Sequence, residues 1–157
     1  MHVWRFCRRP FAHKPLSGTG GLHASARWHS APRLIVYASE SLALASLEVL
    51  VHLDLDLPPN DLLALQIDIP ASVSLTDLPL ADLPRNWRRH PAPRSLPKLG
   101  DAWLDGGESA VLRVPSALIP SEFNYLINPL HSDARLITVV ARSRYAFDPR
   151  LIKMQRD

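Results

Sequence analysis

The rhythm of apolar and polar residues changes several times along this chain, and each change marks an element. VWRF, residues 3 to 6, alternates as a strand does. The stretch that follows, RRPFAHKPLSGTGGLHASA, breaks the alternation with Pro10, Pro15, Gly18, Gly20 and Gly21, which predicts an irregular loop containing positive-φ positions. RLIVYAS, residues 33 to 39, is a β-branched and aromatic run of strand length whose alternation sends Tyr37 to the same side as Ile35 and Ser39. Ser39 or Ser41 can cap the helix expected over residues 41 to 53. That helix lacks a polar face. At helical period Leu44, Ala45, Val51 and His52 surround Glu48, while Leu42, Ala43, Val49 and Leu50 take the other side, so the helix is expected to be buried.

Further on, DLLALQIDIP (61 to 70) reads as a strand with Gln66 and Asp68 facing outward and Pro70 closing it. Residues 71 to 107 are loop-rich, with Pro79, Pro84, Pro91, Pro93 and Pro97, a basic cluster RNWRRH at 85 to 90, and a short helix within LPKLGDAWL. After the turn signal DGGES, AVLRVPS (110 to 116), RLITVVA (135 to 141) and SRYAF (143 to 147) read as strands. The last two would pair as a hairpin, although no glycine lies between them. No repeat or heptad interrupts this order, and strands at both ends with a helix between predict the α+β class.

Composition narrows the picture. A chain of 157 residues is expected to form a single domain over 1–157, long enough to bury a core. A hydrophobic content of 46% with 21% charged residues is globular, which argues against disorder despite fifteen prolines. The net charge of +3 favours anionic ligands without implying direct contact with nucleic acid. One cysteine, Cys7, excludes an intrachain disulfide and points to a reducing compartment. MHVWRFCRRP has no apolar segment of the length an export signal needs, and the apolar run 42 to 53 is too short to span a bilayer, so a cytoplasmic protein with no membrane contact is expected.

Glu48 is the residue that pattern alone does not explain. A buried, unpaired carboxylate costs several kcal/mol, so it must open onto a cleft, meet a cation or be protonated. The cation nearest to hand is Arg27, in RWH before the strand that leads into the helix. A purely structural ion pair would leave the same trace. Tyr37 offers an apolar ring and a hydroxyl, suited either to strand core or to stacking a planar ligand. KPLSGTGG (14 to 21) could bring backbone N–H groups to phosphate, yet it matches neither the Walker nor the dinucleotide fingerprint, and glycines mostly serve turns. No metal site is expected, because the seven histidines lack ligand spacing and there are no cysteine partners. Ser116 stands outside any nucleophile elbow, and WRRH (87 to 90) reads as solvated surface rather than an RNA contact.

Taken together, these residues resemble the RES domain, the toxin half of bacterial toxin–antitoxin pairs, named for an arginine, a glutamate and a serine. GTGGLHASARWHS looks like its Gly-rich approach to Arg-Trp, and VYASESLALASLEVLVH is similar to its tyrosine strand and glutamate helix. LGDAWLDGGESAVLRVPSALIPSEFNYLINPLH looks like its serine segment, and FDPRL near the end fits as well. The likeness runs from Trp4 to about Leu151. One departure is Ala26, where glycine commonly precedes the arginine.

The resemblance implies an ADP-ribosyltransferase-like fold, two small β-sheets forming a central cleft with flanking helices, and NAD+ as substrate. It implies destruction of NAD+ by phosphorolysis or hydrolysis, with inorganic phosphate a possible co-substrate, or else ADP-ribosylation of a protein. Carried over by motif, Arg27, Tyr37 and Glu48 would be catalytic, while His29, Ser39 and Ser116 would contact NAD+. The implied partner is a helix-turn-helix, Xre-like antitoxin that forms an oligomer with the toxin and carries the DNA contact. A non-catalytic module acting only through such an antitoxin is the reading from a different class.

Overall fold

The structure, a computed structural model, describes residues 1–53 and 58–153, with the side chains of residues 152 and 153 left aside. Seven strands build it: β1 (His2–Arg8), β2 (Val36–Ser39), β3 (Leu62–Asp68), β4 (Leu75–Asp77), β5 (Val111–Pro115), β6 (Phe123–Ile127) and β7 (Thr138–Arg144). Three α-helices accompany them: α1 (Leu42–Leu50), α2 (Ser95–Gly106) and the short α3 (Pro149–Lys153). The α+β class is as expected.

The strands run in the order β4-β5-β6-β2-β1-β3-β7, antiparallel throughout except for the parallel β4–β5 pair. The expected two sheets are therefore hydrogen-bonded into one. Their separateness survives as a seam: β1 and β3 register over seven residue pairs, whereas β1 and β2 register only through Trp4 and Ser39. A ladder this short lets two half-sheets diverge, and the space between them becomes a cleft.

Alternation along the strands sorts the core onto two faces. Val36 and Ala38, Val111, and Tyr125 and Ile127 pack with Val3, Ile67 and Ile69 on one side. Ile35 and Tyr37, Leu112 and Val114, and Leu126 pack with Trp28, Leu83 and Leu96 on the other. Tyr37 thus shares a face with Ile35, as alternation requires.

Three expectations about elements need correcting. The helix at 42–50 is capped by Ser41, whose hydroxyl accepts from the Leu44 N–H at 3.0 Å, but it is not buried all round. Leu44 and Ala45 are enclosed, while Leu47 and Val51 are 37% and 56% exposed, because only one side of α1 lies on the sheet. The hairpin expected at 135 to 147 is a single strand, β7, after a 3-10 turn at Ser132–Leu136: without a turn residue between the two runs, the chain continues straight along β3. FNYLI, not anticipated as an element, forms β6 at the centre of the sheet. Among the described residues no helix is long and apolar enough to cross a membrane.

Candidate functional site

The cleft at the seam is a cavity of about 790 Å³. Trp4, Arg5 and Phe6 of β1 form one wall and Tyr37, Ala38 and Ser39 of β2 the next. Ala45, Glu48 and Val49 of α1, Val51 and His52 just after it, residues 25 to 28, Arg88 with residues 90 to 92, Ala117, Leu118 and Asn124 complete it. Its volume lies within the range of pockets that enclose small ligands and cofactors.

Glu48 reaches this cavity from α1, and its carboxylate is held by neutral donors. Oε1 accepts from Ser116 Oγ at 2.8 Å and from Asn124 Nδ2 at 2.6 Å. Ser39 Oγ in turn donates to Asn124 Oδ1 at 2.7 Å. A carboxylate only accepts, so Asn124 must turn its NH2 toward Glu48 and its carbonyl toward Ser39; the network has one consistent arrangement. It is braced where three elements meet, since Ser41 at the start of α1 donates to Glu122 Oε2 at 3.0 Å, and the Ser116 N–H donates to the Glu122 carbonyl at 2.9 Å. Oε2 of Glu48 has no partner among the described residues.

The expected Glu48–Arg27 ion pair is not formed. Arg27 instead donates from Nη1 to the Trp87 carbonyl at 2.5 Å, and from Nη1 and Nη2 to the Arg89 carbonyl at 3.3 Å. Burial pulls the Arg27 guanidinium below its usual pKa, and the negative charge of Glu48 on the same cavity opposes that shift. The two residues share a field without sharing a hydrogen bond.

The turn carrying Arg27 is fixed from outside. Ala26 and His29 exchange backbone hydrogen bonds at 3.0 and 3.4 Å, and the Ser30 N–H donates to Asp101 of α2 at 2.9 Å. Gly100 of α2 lies so close to this turn that a Cβ there would stand 1.8 Å from the Trp28 carbonyl oxygen, which explains a glycine inside a helix. Ala26 requires no positive φ, so alanine in place of glycine leaves the turn intact.

Tyr37 places its ring on the cavity and its hydroxyl away from it, 2.8 Å from Nδ1 of His29. Burial raises the Tyr37 pKa well above its usual value, so the phenol stays neutral. His29 itself is 2% exposed and stands behind the tyrosine, not on the cavity wall. Ser116 is likewise fully enclosed: besides holding Glu48, its hydroxyl accepts from the Leu118 and Ile119 N–H groups, each at 3.1 Å. Of the six expected site residues, the structure brings Arg27, Tyr37, Ser39 and Glu48 onto one cavity and sets His29 and Ser116 behind Tyr37 and Glu48. Neither His29 nor Ser116 is among the residues that line the cavity.

Asn124, Arg5 and Arg88 are among the cavity residues that the sequence reading did not assign to the site. Asn124 sits within FNYLI, whose alternation, once read as a strand, would have paired it with Leu126 on the site's face. Arg5 occupies an alternation position shared with Val3 and Cys7; it donates from Nη1 to the Tyr37 carbonyl at 2.8 Å, its Nε is buried without a partner, and burial lowers its pKa. Arg88 belongs to the WRRH run read as solvated surface; it is exposed, and it also lines the cavity. The described salt bridges of Arg8, Arg33, Arg113 and Arg150 lie with Asp61, Asp101 and Asp105, Asp77, and Asp148. The three arginines that line the cavity have no carboxylate partner among the described residues. Nor do those residues contain a group of three His, Cys, Asp or Glu side chains placed to hold a metal.

The family model described as RES domain matches residues 2–148. "Toxin Res" of Pseudomonas putida is 43% identical over 137 residues, covering 86% of this chain and 89% of that one. "Prs ADP-ribosylating toxin" of Sphingobium sp. is 36% identical over 155 residues, 96% of each chain. Among solved structures, the Mycobacterium tuberculosis MbcT-MbcA toxin-antitoxin complex contains a similar fold, with a TM-score of 0.75 over 97% of this chain and 86% of that one at 14% identity.

Proposed function

This chain belongs to the RES domain family, and from that premise we propose that it is the toxin of a bacterial toxin–antitoxin pair, an enzyme of the cytoplasm that destroys NAD+ by breaking its nicotinamide–ribose bond. The observation that carries the reading is the setting of Glu48: a carboxylate fixed by Ser116 and Asn124, its second oxygen without a partner among the described residues, on a cavity lined by three guanidinium groups that have no carboxylate partner among those residues. As nicotinamide departs with the bonding electron pair, positive charge develops on the ribose, and a fixed carboxylate stabilises it while accepting a hydrogen bond from a ribose hydroxyl. The ring of Tyr37 offers a face for the nicotinamide. The charge of Arg5 suits the pyrophosphate, and those of Arg27 and Arg88 a further anion.

That surplus of positive charge favours inorganic phosphate as the acceptor over water. The Sphingobium relative's name supports a second reading, transfer of ADP-ribose to a protein by the same site. The partner is a helix-turn-helix, Xre-like antitoxin, assembled with the toxin as an oligomer and bearing the DNA contact. The exposed Leu47 of α1 and Val51, which follows the helix and lines the cavity, offer it an apolar footing. The test is product analysis of NAD+ incubated with the purified chain, with and without phosphate. Nicotinamide and ADP-ribose 1″-phosphate are expected; a labelled protein in place of a free product establishes the second reading, and intact NAD+ refutes both.

A further inference from the structure

Residues 84 to 92 form a succession of turns, a setting in which a long side chain ordinarily moves freely, yet this segment is held at several points around Arg88. Arg27 grips the peptide on either side of it, through the carbonyls of Trp87 and Arg89. Arg88 itself donates from Nε to the Ala117 carbonyl at 3.1 Å, one residue beyond the Ser116 that holds Glu48. Arg88 is exposed, yet its peptide and its Nε are tied before any ligand arrives, so part of the freedom that binding would remove is already gone. Nη1 and Nη2 have no partner among the described residues, and the residue lines the cavity. A tethered fork of two donors with no carboxylate partner among the described residues, bound to the peptide next to Ser116, suits a tetrahedral oxyanion.

Resting on the NAD+-cleavage reading above, we propose that Arg88 is the residue that binds the acceptor, inorganic phosphate, and that Arg27 is the positioning residue that aims it. A phosphate oxygen forms a bond to C1″ of the ribose as the bond from C1″ to the nicotinamide nitrogen breaks. The electron pair of that bond returns to the pyridine ring, and nicotinamide leaves neutral. Hydrogen phosphate keeps its proton, and the product is ADP-ribose 1″-phosphate. The dianion must come close to the Glu48 carboxylate, and a guanidinium tied next to Ser116 offsets that repulsion where it arises. A phosphate held at Arg88 thus competes with water for the same ribose carbon.

The experiment titrates phosphate at saturating NAD+ and separates ADP-ribose from its 1″-phosphate, in wild type, Arg88→Gln and Arg88→Lys. Loss of one charged fork on phosphate should raise the KM for phosphate by about tenfold or more in Arg88→Gln and shift the products toward ADP-ribose. The lysine variant, charged but without the fork, falls between. The KM for NAD+ should change by less than about threefold, because the dinucleotide keeps Arg5, Tyr37 and Glu48. An unchanged phosphate KM in both variants overturns the proposal, as does a parallel rise of both KM values, which would mean that Arg88 grips the dinucleotide. Wild-type protein that splits NAD+ equally fast without phosphate overturns it too while leaving NAD+ cleavage standing; wild-type protein that leaves NAD+ intact overturns both.

Discussion

Exchanging Glu48 for Gln separates charge from shape. The amide oxygen of glutamine can take the place of Oε1 and accept from Ser116 and Asn124 as before. The opposite rotamer would set two NH2 groups against each other at the Asn124 contact, so the orientation is fixed. Two charge-assisted hydrogen bonds become neutral, a loss of about 1 kcal/mol each, and relief from desolvating a charge offsets much of it, so net stability should change by about 1 kcal/mol. For a chain of this size that is a shift of about 4 °C or less in thermal midpoint. Catalysis should respond far more strongly. A unit charge about 4 Å from the developing ribose cation, at an effective dielectric of about 20, is worth about 4 kcal/mol, or about a thousandfold in rate. Nicotinamide release followed chromatographically, alongside thermal unfolding, gives both numbers. A variant that keeps more than about a tenth of wild-type turnover would refute the electrostatic role, and one that unfolds would refute the claim that the network tolerates a neutral group.

Ser116→Ala should do the reverse, since it strands the Leu118 and Ile119 N–H groups: a stability loss of about 2–3 kcal/mol in denaturant titration, with residual activity above that of Glu48→Gln. Tyr37→Phe keeps the ring on the cavity and loses the hydroxyl's bonds to His29 and the Trp28 backbone, so turnover should stay within about tenfold of wild type while Tyr37→Ala falls by about a hundredfold; equal losses in a steady-state assay would assign the hydroxyl to the chemistry. Gly100→Ala drives a methyl group into the Trp28 carbonyl and should lower the thermal midpoint by on the order of 10 °C. Hydrogen bonds from the Ser74 hydroxyl and N–H hold the Asp133 carboxyl below the usual carboxylate range. Its contribution is therefore present above the unfolded-state pKa of about 3.9 and lost as pH falls through the lower folded value, so Asp133→Asn should flatten the acid limb of the thermal midpoint against pH.

Most of the strands and both longer helices were legible because their signals are local, whereas the three-residue β4 (Leu75–Asp77), within a proline-rich stretch read as loop, was not. RLIVYAS, DLLALQIDIP and AVLRVPS carry strand composition within a few residues, and Ser41 caps α1 as its position before an apolar run suggests. FNYLI has the same composition, but β6 runs directly from the bend at 116–122 into the Asn128 turn without the flanking alternation that makes an element stand out. Glu48 was conspicuous for the right reason, a charge on an apolar helix, and its partner was misjudged for an equally physical one. The sequence shows which residue types are near one another along the chain, and Arg27 was the isolated cation upstream. Ser116 and Asn124 are brought to Glu48 only by the adjacency of β5 and β6 in the sheet, separations of 68 and 76 residues that no local pattern encodes. Arg88 was hidden still further, because nothing in a proline-rich basic turn shows that its peptide is gripped from 60 residues away.

The short β1–β2 ladder ties these observations together. Were the two strands registered along their length, the Tyr37 carbonyl would be taken by a backbone donor from β1; because they diverge after Trp4 and Ser39, it is taken by the Arg5 side chain. The opening that results is bounded by groups that neither half-sheet satisfies alone: an arginine from β1, a tyrosine and a serine from β2, and a glutamate from the helix that follows. A cavity made this way has polar side chains on its wall because the backbone pairing that would have displaced them is missing. Arg27 and Arg88, from the turns that close the cavity, likewise use carbonyls, with no carboxylate partner among the described residues. Had acidic residues entered the seam to neutralise them, Glu48 would lie among like charges, and a lone carboxylate facing a surplus of guanidinium groups is the arrangement that both a dinucleotide pyrophosphate and a forming ribose cation require.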